Sequence, residues 1–206
     1  MRTQINALFA SLHSRPWSLT RTLHSDNPMD IKGELHGTAT FTPCRQTKNT
    51  QEKQGLQDEH DMVYREEGEM PTSIMGMAGL RWTKRYIWRL ADGMSVWFAK
   101  PDKDEADYLF HEFDFDAEGL TASATTPDTA VTAPTPPVVA SARDTSILVA
   151  RGNHLCINDM YRTAYAFRVL VETGEVLSWS SRHVVKGPKK DQDIVNIYRH
   201  LQGRGD

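Results

Sequence analysis

A chain of 206 residues with 39 % hydrophobic and 25 % charged residues is long enough for one ordinary globular domain with a sizeable core. A formal net charge of −3 and a pI near 6.2 give no electrostatic footprint for nucleic acid or an acidic membrane. Two cysteines, Cys44 and Cys156, make no disulfide framework and suit a reducing compartment.

Residues 3–13 are expected to form a short amphipathic helix, because Leu8, Phe9 and Leu12 recur at helical spacing. The stretch lacks the long apolar core and small-residue cleavage site of a signal peptide. No run reaches the roughly 18 apolar residues of a membrane span, so the expected protein is soluble and cytoplasmic.

From there the pattern turns to strands. Trp17 to His24 alternates, with Trp17, Leu19, Arg21 and Leu23 on one side, and Arg21 intrudes on an otherwise apolar face. Gly33 to Thr42 follows, and Gly37 in its middle suggests a bulge or sharp bend. Met62 to Gly68 sets Tyr64, Glu66 and Gly68 on one face. Leu80 to Leu90 sets Trp82, Tyr86 and Trp88 against Arg81, Arg85 and Arg89, and Ala91-Asp92-Gly93 turns into Met94 to Ala99. Tyr108 to Phe115 places His111 with Leu109, Phe113 and Phe115. Four further strands are expected at Ile147–Ile157, Asp159–Leu170, Val176–Lys186 and Asp193–His200.

Two stretches break the pattern. Residues from about 43 to 61 are almost wholly polar, and about 118–145 are dominated by Thr, Ala, Pro, Ser and Val. Both are expected to be flexible insertions in a single domain spanning 1–206, since neither half has enough strands to close a core. The fold class is therefore mainly β: one antiparallel barrel of about eight to ten strands with a short N-terminal helix, which buries its sheet edges and leaves room for one small ligand.

Polar groups able to move protons concentrate on the inward faces. His111 and His183 each sit among apolar residues, and histidine titrates near operating pH. Glu66 beside Tyr64 would have a raised pKa if buried. Arg21 and Arg85 suit such a carboxylate or a ligand oxyanion. Asp159 and Tyr161 share parity and could act as an acid/base or oxyanion-stabilising pair. Each has a plain structural alternative: a hydrogen-bonded core histidine, a solvated strand face, a rim ion pair, a capping Asp or a packed Tyr. His154, Cys156 and Asp159 lack the second Cys/His pair of a metal site, and His154 with Cys156 lacks an oxyanion loop. The Gly187 to Asp191 turn lacks the frame of a phosphate loop, so neither metal nor nucleotide is expected.

The order of PWSLTRTL, GTATF, YREEG, RYIW, FHEFDF, HLCINDMY, W-x3-HVVKGPKKD and IYRH resembles a family of uncharacterised small bacterial and fungal proteins related in fold to the calycins, the lipocalin and fatty-acid-binding group. The resemblance implies a lipocalin-like barrel with an internal cavity. Fungal members of such families serve as cofactor-free cyclases or isomerases in secondary metabolism, and the Thr/Pro/Ala insertion fits a fungal member.

Two functions follow as expectations. One is a cofactor-independent cyclase or isomerase of a small, largely apolar or aromatic metabolite, with His111, Asp159, Tyr161, His183 and Glu66 moving protons. Trp17, Trp82, Tyr86, Trp88, Phe98, Phe113 and Trp179 would wall the substrate, and Arg21, Arg85 and His154 would bind it. The other is a non-catalytic carrier or sensor of the same kind of ligand. No nucleic acid or membrane partner is expected, and a homodimer would be compatible with the sheet faces.

Overall fold

Leu8 and Phe9 of helix α1 (Arg2–Ser11) and the capping Leu12 are buried together under a barrel. Removing such side chains from water contributes about 1.5–3 kcal/mol each. The helix stops two residues earlier than its periodicity suggests. Trp17 explains the stop: its Nε1 donates to the Leu12 carbonyl at 3.0 Å and satisfies an acceptor the helix end leaves open. Gly174, at φ 73°, makes the turn on which the helix rests, where a Cβ would come within 2.9 Å of Ala7.

The computed structural model describes residues 1–44, 60–71, 79–115, 131–140, 142, 144–188 and 190–201. Ten strands follow the helix: β1 (Trp17–Ser25), β2 (Gly33–Pro43), β3 (His60–Glu69), β4 (Arg81–Leu90), β5 (Met94–Ala99), β6 (Ala106–Glu112), β7 (Thr145–Cys156), β8 (Asp159–Leu170), β9 (Val176–Gly187) and β10 (Lys190–His200). They form one antiparallel sheet in the order β6-β5-β4-β3-β2-β1-β10-β9-β8-β7, curled into a nearly closed barrel. The expected barrel with its single short helix is therefore the fold. Among the described residues, no helix is long and apolar enough to cross a membrane.

The barrel closes along two edges of unequal strength. β1 and β10 pair over nine positions, from Trp17↔His200 to Ser25↔Gln192. Between β6 and β7, the bridge found among the described residues is Asp114↔Arg151, whose backbones exchange hydrogen bonds of 2.8 and 3.0 Å. The strand expected over Tyr108–Phe115 consequently ends at Glu112, short of this seam.

Two local features depart from simple alternation. The β2 ladder runs through Gly37 without the expected bulge, its register unbroken from Leu19↔Gly37 to Gly37↔Gly68. The glycines instead make room, since a Cβ on either would meet the Trp82 ring within 2.9 Å. The register does shift elsewhere: once between β8 and β9, at Arg168/Val169, and twice between β5 and β6. Val96 pairs with His111 and Trp97 with Leu109, so Phe110 is an extra residue and the parity of β6 changes there. Leu109 is left half exposed, while Phe110 and His111 are both buried.

The first expected insertion falls largely on 45–59, outside the described residues, as do 118–130 of the second. Residues 131–140 carry no regular structure but lie across the outside of β8 and β9. There Arg168 donates to the Pro136 and Pro137 carbonyls at 3.0 Å each, and Ser178 and Ser180 donate to those of Pro137 and Pro134. Proline cannot donate to a ladder, but its carbonyl accepts freely. The strap thereby covers two buried serines on the outer face of β9.

Candidate functional site

Cross-strand register stacks the inward side chains in levels. The row Leu19↔Tyr198↔Trp179↔Phe167 is apolar apart from one phenol. Next comes Arg21↔Asn196↔Ser181↔Tyr165, and above it Leu23↔Ile194↔His183↔Thr163. Below the first row, Trp17, Phe41, Phe113 and Phe115 join the helix in a solid core. Above it lies a cavity of about 260 Å³, walled by Tyr86, Trp88, Phe98, Phe110, Tyr165 and Trp179 and edged by Arg21, Glu66, Lys84, Tyr161, His183 and Asn196.

The lower boundary of the cavity is a buried ionic network. Arg21 Nη2 donates to Glu66 Oε2 at 2.6 Å, and its Nε donates to Asn196 Oδ1 at 2.7 Å. Asn196 Nδ2 donates to Ser181 Oγ at 2.9 Å, which sits 3.0 Å from His183 Nε2. The other carboxylate oxygen of Glu66 accepts from Tyr64 and, at 3.0 Å, from Tyr198. Burial opposes ionisation of Glu66, yet the charge of Arg21 and these donors hold its pKa below the usual carboxylate range. Burial, reinforced by the Glu66 charge, keeps the Tyr64 and Tyr198 phenols well above 10. Glu66 is therefore an anion with its lone pairs engaged, suited to holding Arg21 in place rather than to moving protons. The Arg21 guanidinium also stacks 5.3 Å from the Trp82 ring.

Lys84 has a different standing. It is the β4 neighbour of Glu66 in the ladder and lines the cavity, but it forms no hydrogen bond or ion pair among the described residues. Desolvation, assisted by the Arg21 charge and only partly offset by Glu66, lowers its pKa to about 8. The side chain is exposed, and its accessible surface lies along an aromatic-walled cavity that opens to solvent, where the Arg21 charge still disfavours the ammonium. His183 shares that lumen, and burial and the nearby Lys84 charge hold it well below 6.5, so its ring is neutral.

The sequence candidates separate into those that meet and those that do not. Arg21, Glu66, Tyr86, Trp88, Phe98, Tyr161, Trp179 and His183 line the cavity. Trp17 and Phe113 belong to the solid core below it, and Trp82 packs under Arg21 at its margin. Arg85 lies on the opposite face of the sheet from Glu66, donating to the Lys100 carbonyl at 2.7 Å and lying 3.5 Å from Asp104, so of the two arginines expected to meet that carboxylate it is Arg21 that does. Tyr161 accepts a hydrogen bond from Lys190 Nζ at 2.8 Å, and Asp159 pairs with the same ammonium at 3.1 Å at the barrel rim, outside the cavity lining.

His111 belongs to the seam. Its Nδ1 lies 3.2 Å from the Glu112 carbonyl and its Nε2 2.9 Å from Tyr165 OH, so both nitrogens have partners, and burial lowers its pKa to about 4. Gly152 on β7 supplies the space, since a Cβ there would lie 2.4 Å from Nδ1. His154 stands nearby against Phe110, with ring centres 5.2 Å apart. A groove of about 520 Å³ runs outside this seam, larger than the lumen but broadly open to solvent. Among the described residues, no group of His, Cys, Asp or Glu is placed to hold a metal ion.

Lys84 escaped sequence reasoning although it has the same parity as Trp82, Tyr86 and Trp88. Asn196, Ser181 and Tyr198 escaped because nothing local marks a neutral side chain as the partner of a charge some 130 to 175 residues away. Residues 13–200 match a family described only as a family of unknown function (DUF6314), and the chain belongs to that family. No curated protein and no solved structure matches it.

Proposed function

Starting from a family with no assigned activity, we propose that this protein binds one small, largely apolar molecule in the upper lumen of its barrel. The observation that carries the reading is the cavity itself: about 260 Å³, walled by aromatic rings and edged by a cation, a neutral imidazole and phenols. Ligand sites have this composition, an apolar enclosure with a few placed polar groups. Scaled from a dry cavity of about 150 Å³ that takes up benzene, the space suits a guest of roughly ten non-hydrogen atoms. A calycin-like ancestry and a place among cytoplasmic proteins fit this role, and Cys44 and Cys156 are both free thiols.

A second reading, acid–base conversion of the guest by a cyclase- or isomerase-like route, is favoured by one observation. His183 presents a neutral ring to the lumen, with Tyr86 and Tyr161 as phenolic donors. Of the proton carriers expected from the sequence, His183 and Tyr161 are the pair this route would use.

Native mass spectrometry of the purified protein after exposure to extract of its producing cells tests both readings. A retained small molecule that is lost in Val185→Trp, a variant that fills the lumen, supports binding. Retention unchanged in that variant, or no retention by the parent protein, overturns it. Conversion of the retained molecule that stops in His183→Ala while retention persists selects the second reading.

A further inference from the structure

Among the described residues, the lumen contains one lysine that the buried network leaves over. The Arg21 charge is matched by Glu66 at 2.6 Å, Arg21 Nε also donates to Asn196, and the second Glu66 oxygen accepts from Tyr64 and Tyr198. Lys84 stands beside this neutral pair with no partner among the described residues, its side chain in the cavity among Tyr86, Phe98 and Phe110. A lysine kept for structure would be expected to reach Glu66, its ladder neighbour. A primary amine without a counter-charge of its own, lining a cavity walled by aromatic rings, is a setting in which lysine acts as a nucleophile.

Resting on the lumen as the ligand site, we propose that Lys84 captures its guest covalently as an imine, and that the guest is a small, largely apolar aldehyde or ketone. Nζ adds to the carbonyl carbon and forms a C–N bond. The carbonyl oxygen collects the two protons that the nitrogen gives up, the C–O bond breaks, and water leaves. No oxidant or reductant is needed. His183, whose neutral ring senses the Lys84 charge, is placed to relay protons between nitrogen and oxygen. Aromatic walls favour the product by excluding the water that would reverse it. Burial, the Arg21 charge from β1, which disfavours the ammonium, and the Glu66 charge from β3, which favours it, set the pH at which the amine is free, while His183 faces it from β9 as a neutral ring.

The experiment uses cinnamaldehyde, an unsaturated aldehyde of about the size the lumen accepts, with the full chain and cyanoborohydride to reduce any imine in place. Peptide mapping then locates the adduct, and quenching of tryptophan fluorescence follows entry, since Trp88 and Trp179 line the cavity. With an amine titrating about pH 8 rather than near 10.4, Lys84 holds roughly a hundredfold more free amine at neutral pH than an exposed lysine. The expected result is one dominant adduct, at Lys84, with a trapping rate that is half-maximal about pH 8 and levels off roughly one unit higher. In Lys84→Arg, folded by circular dichroism, the adduct vanishes while quenching persists. Adducts spread over surface lysines, or equal labelling of the Lys84→Arg chain, overturn the proposal. Quenching without any adduct at Lys84 overturns it too, while leaving the lumen as a binding site. No quenching at all removes both.

Discussion

The lower and upper halves of this barrel interior are built on the same strands and the same alternation, yet one is solid and the other hollow. In the lower half, Trp17, Phe167 and Trp179 fill the section at 0–1 % exposure, and Trp179 stacks on Tyr198 at 3.5 Å with the planes nearly parallel. In the upper half the same rows continue with Asn196, Ser181, Thr163 and His183, whose smaller side chains do not meet across the axis. The Arg21–Glu66 network sits between them. What separates a solid core from a cavity here is side-chain volume at successive inward positions, not a change of backbone.

That contrast can be broken most forcefully from below. Trp17→Ala removes a side chain that is fully buried, stacked on His200 at 3.9 Å and bonded to the helix end, and should cost about 3–5 kcal/mol in urea unfolding. At the boundary, Glu66→Leu leaves Arg21 buried without its counter-charge and should cost about 3 kcal/mol. Adding Arg21→Met should restore most of that loss. If the double variant is no better than the single one, the network stabilises the barrel by more than charge balance.

The smallest effect belongs to the hollow half, and it has a sign. Lys84 titrates about pH 8 when folded and near 10.5 when unfolded. Between those values the unfolded chain holds a proton that the folded chain has lost, so the lysine's cost to stability shrinks as pH rises through that window. Below pH 8 both forms are protonated and the cost is at its largest. Lys84→Met should therefore be more stable than the parent at pH 7, with the difference closing by about pH 10.5 in parallel denaturant titrations. A constant difference across that range would mean the ammonium is well solvated after all.

Much of the fold was legible because alternation works wherever strands pair without interruption. β1, β3, β4 and β9 beyond its register shift at Leu177 face as their sequences suggest, which put Arg21, Glu66, Trp88 and Trp179 inside. On β6 the reading failed at Phe110, since an extra residue in a ladder has no local signature and moves each side chain beyond it. The candidate site was legible as a region and not as a circuit. Arg21 announced itself as a charge on an apolar face, but pairing it with Glu66 and Asn196 requires the closed barrel. Lys84 was hidden by its company, one cation in a strand that also carries Arg81, Arg85 and Arg89.

The unequal closure of the barrel has a mechanical consequence. The chain consists of two meanders, one of six strands and one of four, sewn together by the β1–β10 ladder on one side and by the Asp114–Arg151 bridge on the other. Local opening costs least where the fewest bonds must break. The wall should therefore behave as a hinge along β1 and β10 and a latch beside His111 and Gly152. Amide exchange would show this as fast protons at Asp114 and Arg151 against slow ones from Leu19 to Leu23. A guest too large for the lumen would strain the latch first.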